Sequence, residues 1–105
     1  MRITISHNKP KAEVIRSVDR SFDDLFRGSA VVPLQIVNER RIWNGNTLTF
    51  SFDAKFGLLS APIKGFIEVT DKDLTIDADL GLLEKLFPAK QARAVIEGRI
   101  RGLLT

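Results

Sequence analysis

From residue 47 to residue 80 the chain alternates apolar and polar residues in three runs, TLTFSFDAK, LSAPIKGFIEVT and DLTIDADL. In the first, Leu48, Phe50 and Phe52 alternate with Thr47, Thr49, Ser51 and Asp53; in the last, Leu74, Ile76, Ala78 and Leu80 alternate with Thr75, Asp77 and Asp79. A strand turns successive side chains to opposite faces, so this period predicts an antiparallel sheet with one dry and one wet face. In the middle run Ile63, Gly65, Ile67 and Val69 share a face, and Lys64, Glu68 and Thr70 share the other. Phe66 falls on the wet side, where the pattern gives no reason for an aromatic ring.

The flanking segments read as what covers the dry face. Arg2 to Ser6 alternates like a short strand. Asn8 can cap a helix, and Pro10 suits a first turn, where an amide has no partner within the helix. Val14, Ile15, Val18, Phe22, Leu25 and Phe26 then recur at three- and four-residue steps, an apolar helical stripe that ends near Gly28. Arg16, Asp19, Arg20, Asp23 and Asp24 fall on the other faces of that helix. Val31 to Ile42 predicts a strand whose alternation blurs through Asn38-Glu39-Arg40-Arg41, as a bulge or an edge position would make it. Turns are predicted at Asn44-Gly45, at Lys55-Phe56-Gly57 and at Asp71-Lys72-Asp73. After Leu80 the period changes to helical: a short apolar stretch from Gly81 to Phe87, Pro88, then a longer helix to about Leu104. That helix would bury Ala92, Val95, Ile96, Arg99/Ile100 and Leu103.

This order, β-α-β-β-β-β-α, predicts an α+β fold in a single domain over residues 1–105. The sheet is five-stranded and antiparallel, with both helices on one face in a small helix-grip arrangement. A helix separates the first strand from the second, so they cannot pair through a tight turn. The first strand is therefore placed beside the last, giving the spatial order 1-5-4-3-2.

Composition changes this picture little. A chain of 105 residues can bury roughly two thirds of its unfolded surface in one core. The absence of cysteine removes disulfides, thiol nucleophiles and zinc–thiolate sites. No run approaches the ~20 apolar residues that span a bilayer, and MRITISHNKPK turns polar too early for a secretory signal; both suggest a cytoplasmic protein. Sixteen Lys and Arg against thirteen Asp and Glu leave +3, a weak attraction to anionic surfaces or simply a soluble exterior.

Candidate chemistry is sparse. His7 is the single histidine, a general base or a structural loop residue, with no marked serine beside it. Asp71, Asp73, Asp77 and Asp79 resemble metal ligands but lack a calcium loop's central glycine and terminal glutamate. Neither a metal nor a cofactor is expected. Arg40-Arg41, Lys90, Arg93, Arg99 and Arg101 could form a basic patch, diluted by Glu84 and Glu97, so nucleic-acid binding is not favoured. Ala94, Gly98 and Gly102 put three small residues in one helical groove at about 1 kcal/mol per internal glycine. They predict close packing, against the protein's own sheet and first helix or against a second copy in a homodimer. Gly65 and Ala78 leave space on the dry face for an apolar pocket lined by Phe50, Phe52, Ile63 and Ile96, unless Trp43 or Phe22 fills it. Leu82, Leu83, Leu86 and Phe87 form an apolar cluster beside Lys85, either core or an exposed wedge for a lipid or polyester surface.

From Trp43 onward the chain has the pattern Trp43-x-Gly45-x-x-Leu48-x-Phe50, then Gly65-x-Ile67-Glu68-Val69. Leu74-x-Ile76 and Leu80-Gly81-x-Leu83 follow, before a basic helix. With the preceding strand and helix, this resembles the small polyhydroxyalkanoic acid system proteins of bacteria, which are linked to polyester granules. The resemblance implies a non-enzymatic, cytoplasmic accessory protein of polyhydroxyalkanoate storage, partnered by the granule or its proteins. It carries no catalytic residues, because the matched positions are core and turn positions. The residues themselves leave two other readings: a helix-grip domain binding a small hydrophobic ligand, with polyketide-cyclase-like activity or without it, and a weak nucleic-acid binder.

Overall fold

The computed structural model describes residues 1–26, 35–81 and 89–105. Five strands form one antiparallel sheet: β1 Arg2–Ser6, β2 Gln35–Asn44, β3 Thr47–Phe56, β4 Leu59–Val69 and β5 Asp73–Asp79. The helices are α1, Lys11–Phe26, and α2, Ala89–Leu104. The spatial order is β1-β5-β4-β3-β2, as the connectivity argument required. Val31 to Leu34 and residues 82–88, including the apolar cluster, lie outside the described residues.

The dry face is built by alternation. Leu48, Phe50, Phe52 and Ala54 of β3 are buried, as are Ile67, Val69, Leu74 and Ile76 of the neighbouring strands. Ile3 and Ile5 continue the row onto β1, where Ile3 stands opposite Ile76 and Ile5 opposite Leu74. α1 lays Val14, Val18, Phe22 and Leu25 on this face, and α2 adds Ile96, Ile100 and Leu104 in the same core. α1 packs against α2 and against β4, while α2 packs against α1 and β1.

Helix ends differ in detail from the sequence expectation. Pro10 precedes α1 instead of sitting inside its first turn, and its carbonyl accepts from the amides of Glu13 and Val14 at 3.0 and 3.2 Å. No base stands in the last turn of α1, where Asp23 and Asp24 oppose the helix dipole. Arg99 of α2 supplies the missing cation, donating to the Asp24 carbonyl.

The blurred segment of β2 is a bulge on an edge strand. Val37 pairs with Asp53 and Arg40 with Ser51, so Asn38 and Glu39 together oppose Phe52. Asn38 takes φ of 55°, a conformation asparagine tolerates, and its amide donates to Asp53 Oδ2 at 2.8 Å. An extra residue inverts the inward–outward parity of everything after it. Arg41 and Trp43 therefore face α1, while Arg40 and Ile42 face water.

The β2–β3 turn is Gly45-Asn46, because Asn44 still pairs with Thr47. Gly45 has φ of 61° and Asn46 does not have positive φ, the pattern of a type II′ turn with glycine first. Gly57-Leu58 repeats it between Phe56 and Leu59, with Gly57 at φ of 60°. In β4, Gly65 meets the backbone of β5 so closely that a Cβ there would collide with the Asp77 carbonyl oxygen and the Ala78 Cα.

Candidate functional site

Among the described residues, the dry face of the sheet carries an aromatic cluster where the pocket is expected. Phe22 has no exposed surface, and its ring stands edge-on to Phe50 and Phe52 at centroid separations of 5.1 and 6.4 Å. Phe50 and Phe52 stack at 6.2 Å. Ile63 and Ile96, the other expected pocket walls, are buried in the same cluster. Phe22, one of the two residues able to fill that space, packs against Phe50 and Phe52 there. Trp43 instead lies at the edge, half-buried, its indole donating to Asp19 Oδ1 at 3.0 Å. Leu82, Leu83, Leu86 and Phe87 lie outside the described residues.

The polar edge of this core is held by Arg41. Its guanidinium lies 5.2 Å from the centre of the Phe22 ring, donates to the Asp19 carbonyl at 2.7 Å and pairs with Glu39 at 3.0 Å. Glu39 nonetheless binds its proton more tightly than an ordinary glutamate. Burial raises its pKa most, the neighbouring Asp23 carboxyl and the charge of Asp19 add to that, and Arg41 opposes them.

His7 is a structural residue. It is buried, its Nε2–H donates to the Thr70 carbonyl at 2.8 Å, and its Nδ1 accepts from the Lys9 amide at 3.2 Å. The acceptor at one nitrogen and the donor at the other fix the neutral Nε2–H tautomer. His7 thus pins the end of β1 to the β4–β5 turn, where the Thr70 hydroxyl also donates to Asp73 Oδ1 at 2.9 Å.

The acidic and basic clusters read from the sequence do not assemble. Asp77 pairs with Arg2 at 3.4 Å, and Asp79 Oδ1 accepts from the Gly81 amide at 3.0 Å. Among the described residues no three His, Asp or Glu side chains are grouped to hold a metal ion. Arg40 and Arg41 point to opposite faces. Arg93 donates to the Arg2 carbonyl at 3.0 Å, and Arg101 pairs with Glu97 at 2.9 Å.

The small-residue groove of α2 corrects one expectation. Ala94, Gly98 and Gly102 are exposed, and a Cβ at either glycine would meet nothing within 4 Å. The helix faces the core through Ile96, Ile100 and Leu104. A two-residue offset is about 200° around a helix, so the small stripe points away from the protein's own sheet and first helix.

Two open depressions of about 440 and 580 Å³ lie on the wet face and share Arg40, Ser51, Lys64 and Asp79. Those residues form one cross-strand row in register. The next row, Ile42, Thr49, Phe66 and Asp77, gives Phe66 its setting: a half-buried ring on the outer surface between Thr49 and Asp77. Among the described residues, the large hydrophobics that stand exposed are Ile42, Leu58 and Leu59. The two leucines were not singled out in the sequence, yet one signal was present: apolar residues in a turn, where polar ones are usual.

The chain matches no protein-family model, no curated protein and no solved structure. Among the described residues, no helix is long and apolar enough to cross a membrane.

Proposed function

We propose that this protein is a non-enzymatic accessory factor of polyhydroxyalkanoate storage that works at the surface of the polyester granule. The sequence pattern from Trp43 to the C-terminal helix suggests the setting. One observation favours surface attachment over an enclosed ligand: Phe22 occupies the space between α1 and the Phe50–Phe52 pair, while Leu58 and Leu59 stand in solvent. A polyketide-cyclase-like binder needs a hollow of a few hundred Å³, on the order of 300 Å³ or more, where this chain places an aromatic cluster. A nucleic-acid binder needs a basic stripe with stacking aromatics, whereas several of the arginines here are engaged within the molecule.

The test is the location of a fluorescent fusion in polymer-accumulating cells. Signal concentrated on granules supports the proposal; signal that remains diffuse while granules fill the cell refutes it.

A further inference from the structure

We propose that the β3–β4 turn is the part of the molecule that enters its target surface, and that this surface is an anionic phospholipid layer. The inference rests on the reading of the protein as one that works at an apolar surface. The three turns of the sheet supply the contrast. Gly45-Asn46 and the Asp71-Lys72 turn are polar, but Phe56-Gly57-Leu58-Leu59 is apolar throughout apart from its glycine. The geometry does not require leucine, since Gly45-Asn46 makes the same glycine-first turn with a polar second residue. Leu58 is 106% exposed and Leu59 53%, so Leu58 gains nothing from the fold and Leu59 leaves about half of its apolar surface in water.

The turn is also placed to reach a surface. β4 pairs with β5 only from Lys64 onward, while its ladder with β3 continues for five more pairs, Phe52–Ile63 to Phe56–Leu59. Phe56 packs on the core behind the tip, which braces the leucines. Lys55, directly behind the turn and opposite Ser60, is exposed and makes no ion pair among the described residues. A cation one step behind two leucines can meet a phosphate headgroup while the leucines enter the acyl region. A second copy of the chain fits less well: two leucines cannot cover the roughly 1,000 Å² a stable protein interface buries.

The test is flotation of the full chain with vesicles of phosphatidylcholine and phosphatidylglycerol. Wild type should float. Leu58→Ser/Leu59→Ser should partition at least about 30-fold less while circular dichroism shows the native fold retained at the assay temperature. Lys55→Gln should bind about 5-fold less at low salt, a difference that added salt erases. Wild type that stays with the soluble fraction, or a double variant that floats equally well, overturns the proposal. If the wild-type fusion collects on granules yet ignores vesicles, the lipid contact is wrong and the granule reading stands, with polyester or a granule protein as the partner. If it does neither, both fall.

Discussion

Replacing Phe22 by alanine tests whether the interior is solid. The side chain has no exposed surface and touches two aromatic neighbours, Phe50 and Phe52, with centroid separations of 5.1 and 6.4 Å. Truncating a buried phenylalanine costs about 3–5 kcal/mol, because the lost transfer energy is joined by the cost of the cavity left behind. The loss of the Arg41 guanidinium over the ring, at 5.2 Å, adds about 0.5–1 kcal/mol at a partly exposed site. A domain of this size has about 5–15 kcal/mol in total, so the variant sits near its threshold. Urea unfolding reads the change: with a slope of about 1–3 kcal/mol per molar, the midpoint should fall by about 2 M. Phe22→Leu, which refills much of the space, should recover more than half of that loss. A Phe22→Ala midpoint within about 0.3 M of wild type would mean that the ring borders a pre-existing hollow, and the filled interior would be refuted.

Three further outcomes follow from particular residues. Gly98→Ala and Gly102→Ala should each stabilise the isolated chain by about 0.5–1 kcal/mol, since a Cβ at either meets nothing within 4 Å; a melting temperature that falls, or a dimer that dissociates by light scattering, means a partner packs there. Gly65→Ala should destabilise the fold by several kcal/mol, about 2 or more, because its Cβ would strike the β5 backbone; unchanged stability in thermal melts counts against that close approach. Glu39 carries a raised pKa, so the folded state holds this proton to higher pH than the unfolded chain. Stability from Glu39 is therefore present on the acid side and lost as pH rises from the ordinary glutamate range through the raised folded value. Glu39→Gln should flatten that decline and raise stability at neutral pH; an unaltered pH profile of unfolding would remove the carboxyl pair from the explanation.

Period-two alternation made β3, β4 and β5 legible, because one side chain in two must be dry. The strand order was legible too, since a helix between β1 and β2 leaves β5 as the natural neighbour of β1. β2 resisted because the bulge at Asn38-Glu39 inverts parity midway, and an alternation rule cannot signal a single inserted residue. The groove of α2 misled for a different reason. Spacing puts Ala94, Gly98 and Gly102 on one face, but only packing decides whether that face turns inward, and Ile96 and Ile100 won the core. His7 was readable as a strand-end residue, whereas its two hydrogen bonds needed the β4–β5 turn in place. Leu58 and Leu59 escape a reading by pattern because a turn is recognised by its glycine: Leu59 reads as the start of the next strand, and Leu58 falls between the turn and that strand.

The most direct measurement is density-gradient sedimentation of the purified chain with isolated polyester granules, in the presence and absence of excess free hydroxyalkanoate monomer. An outward-facing apolar contact and a closed core predict that the protein travels with the granules and that soluble monomer does not release it. Protein that stays at the top of the gradient, or is displaced by the monomer, would contradict them.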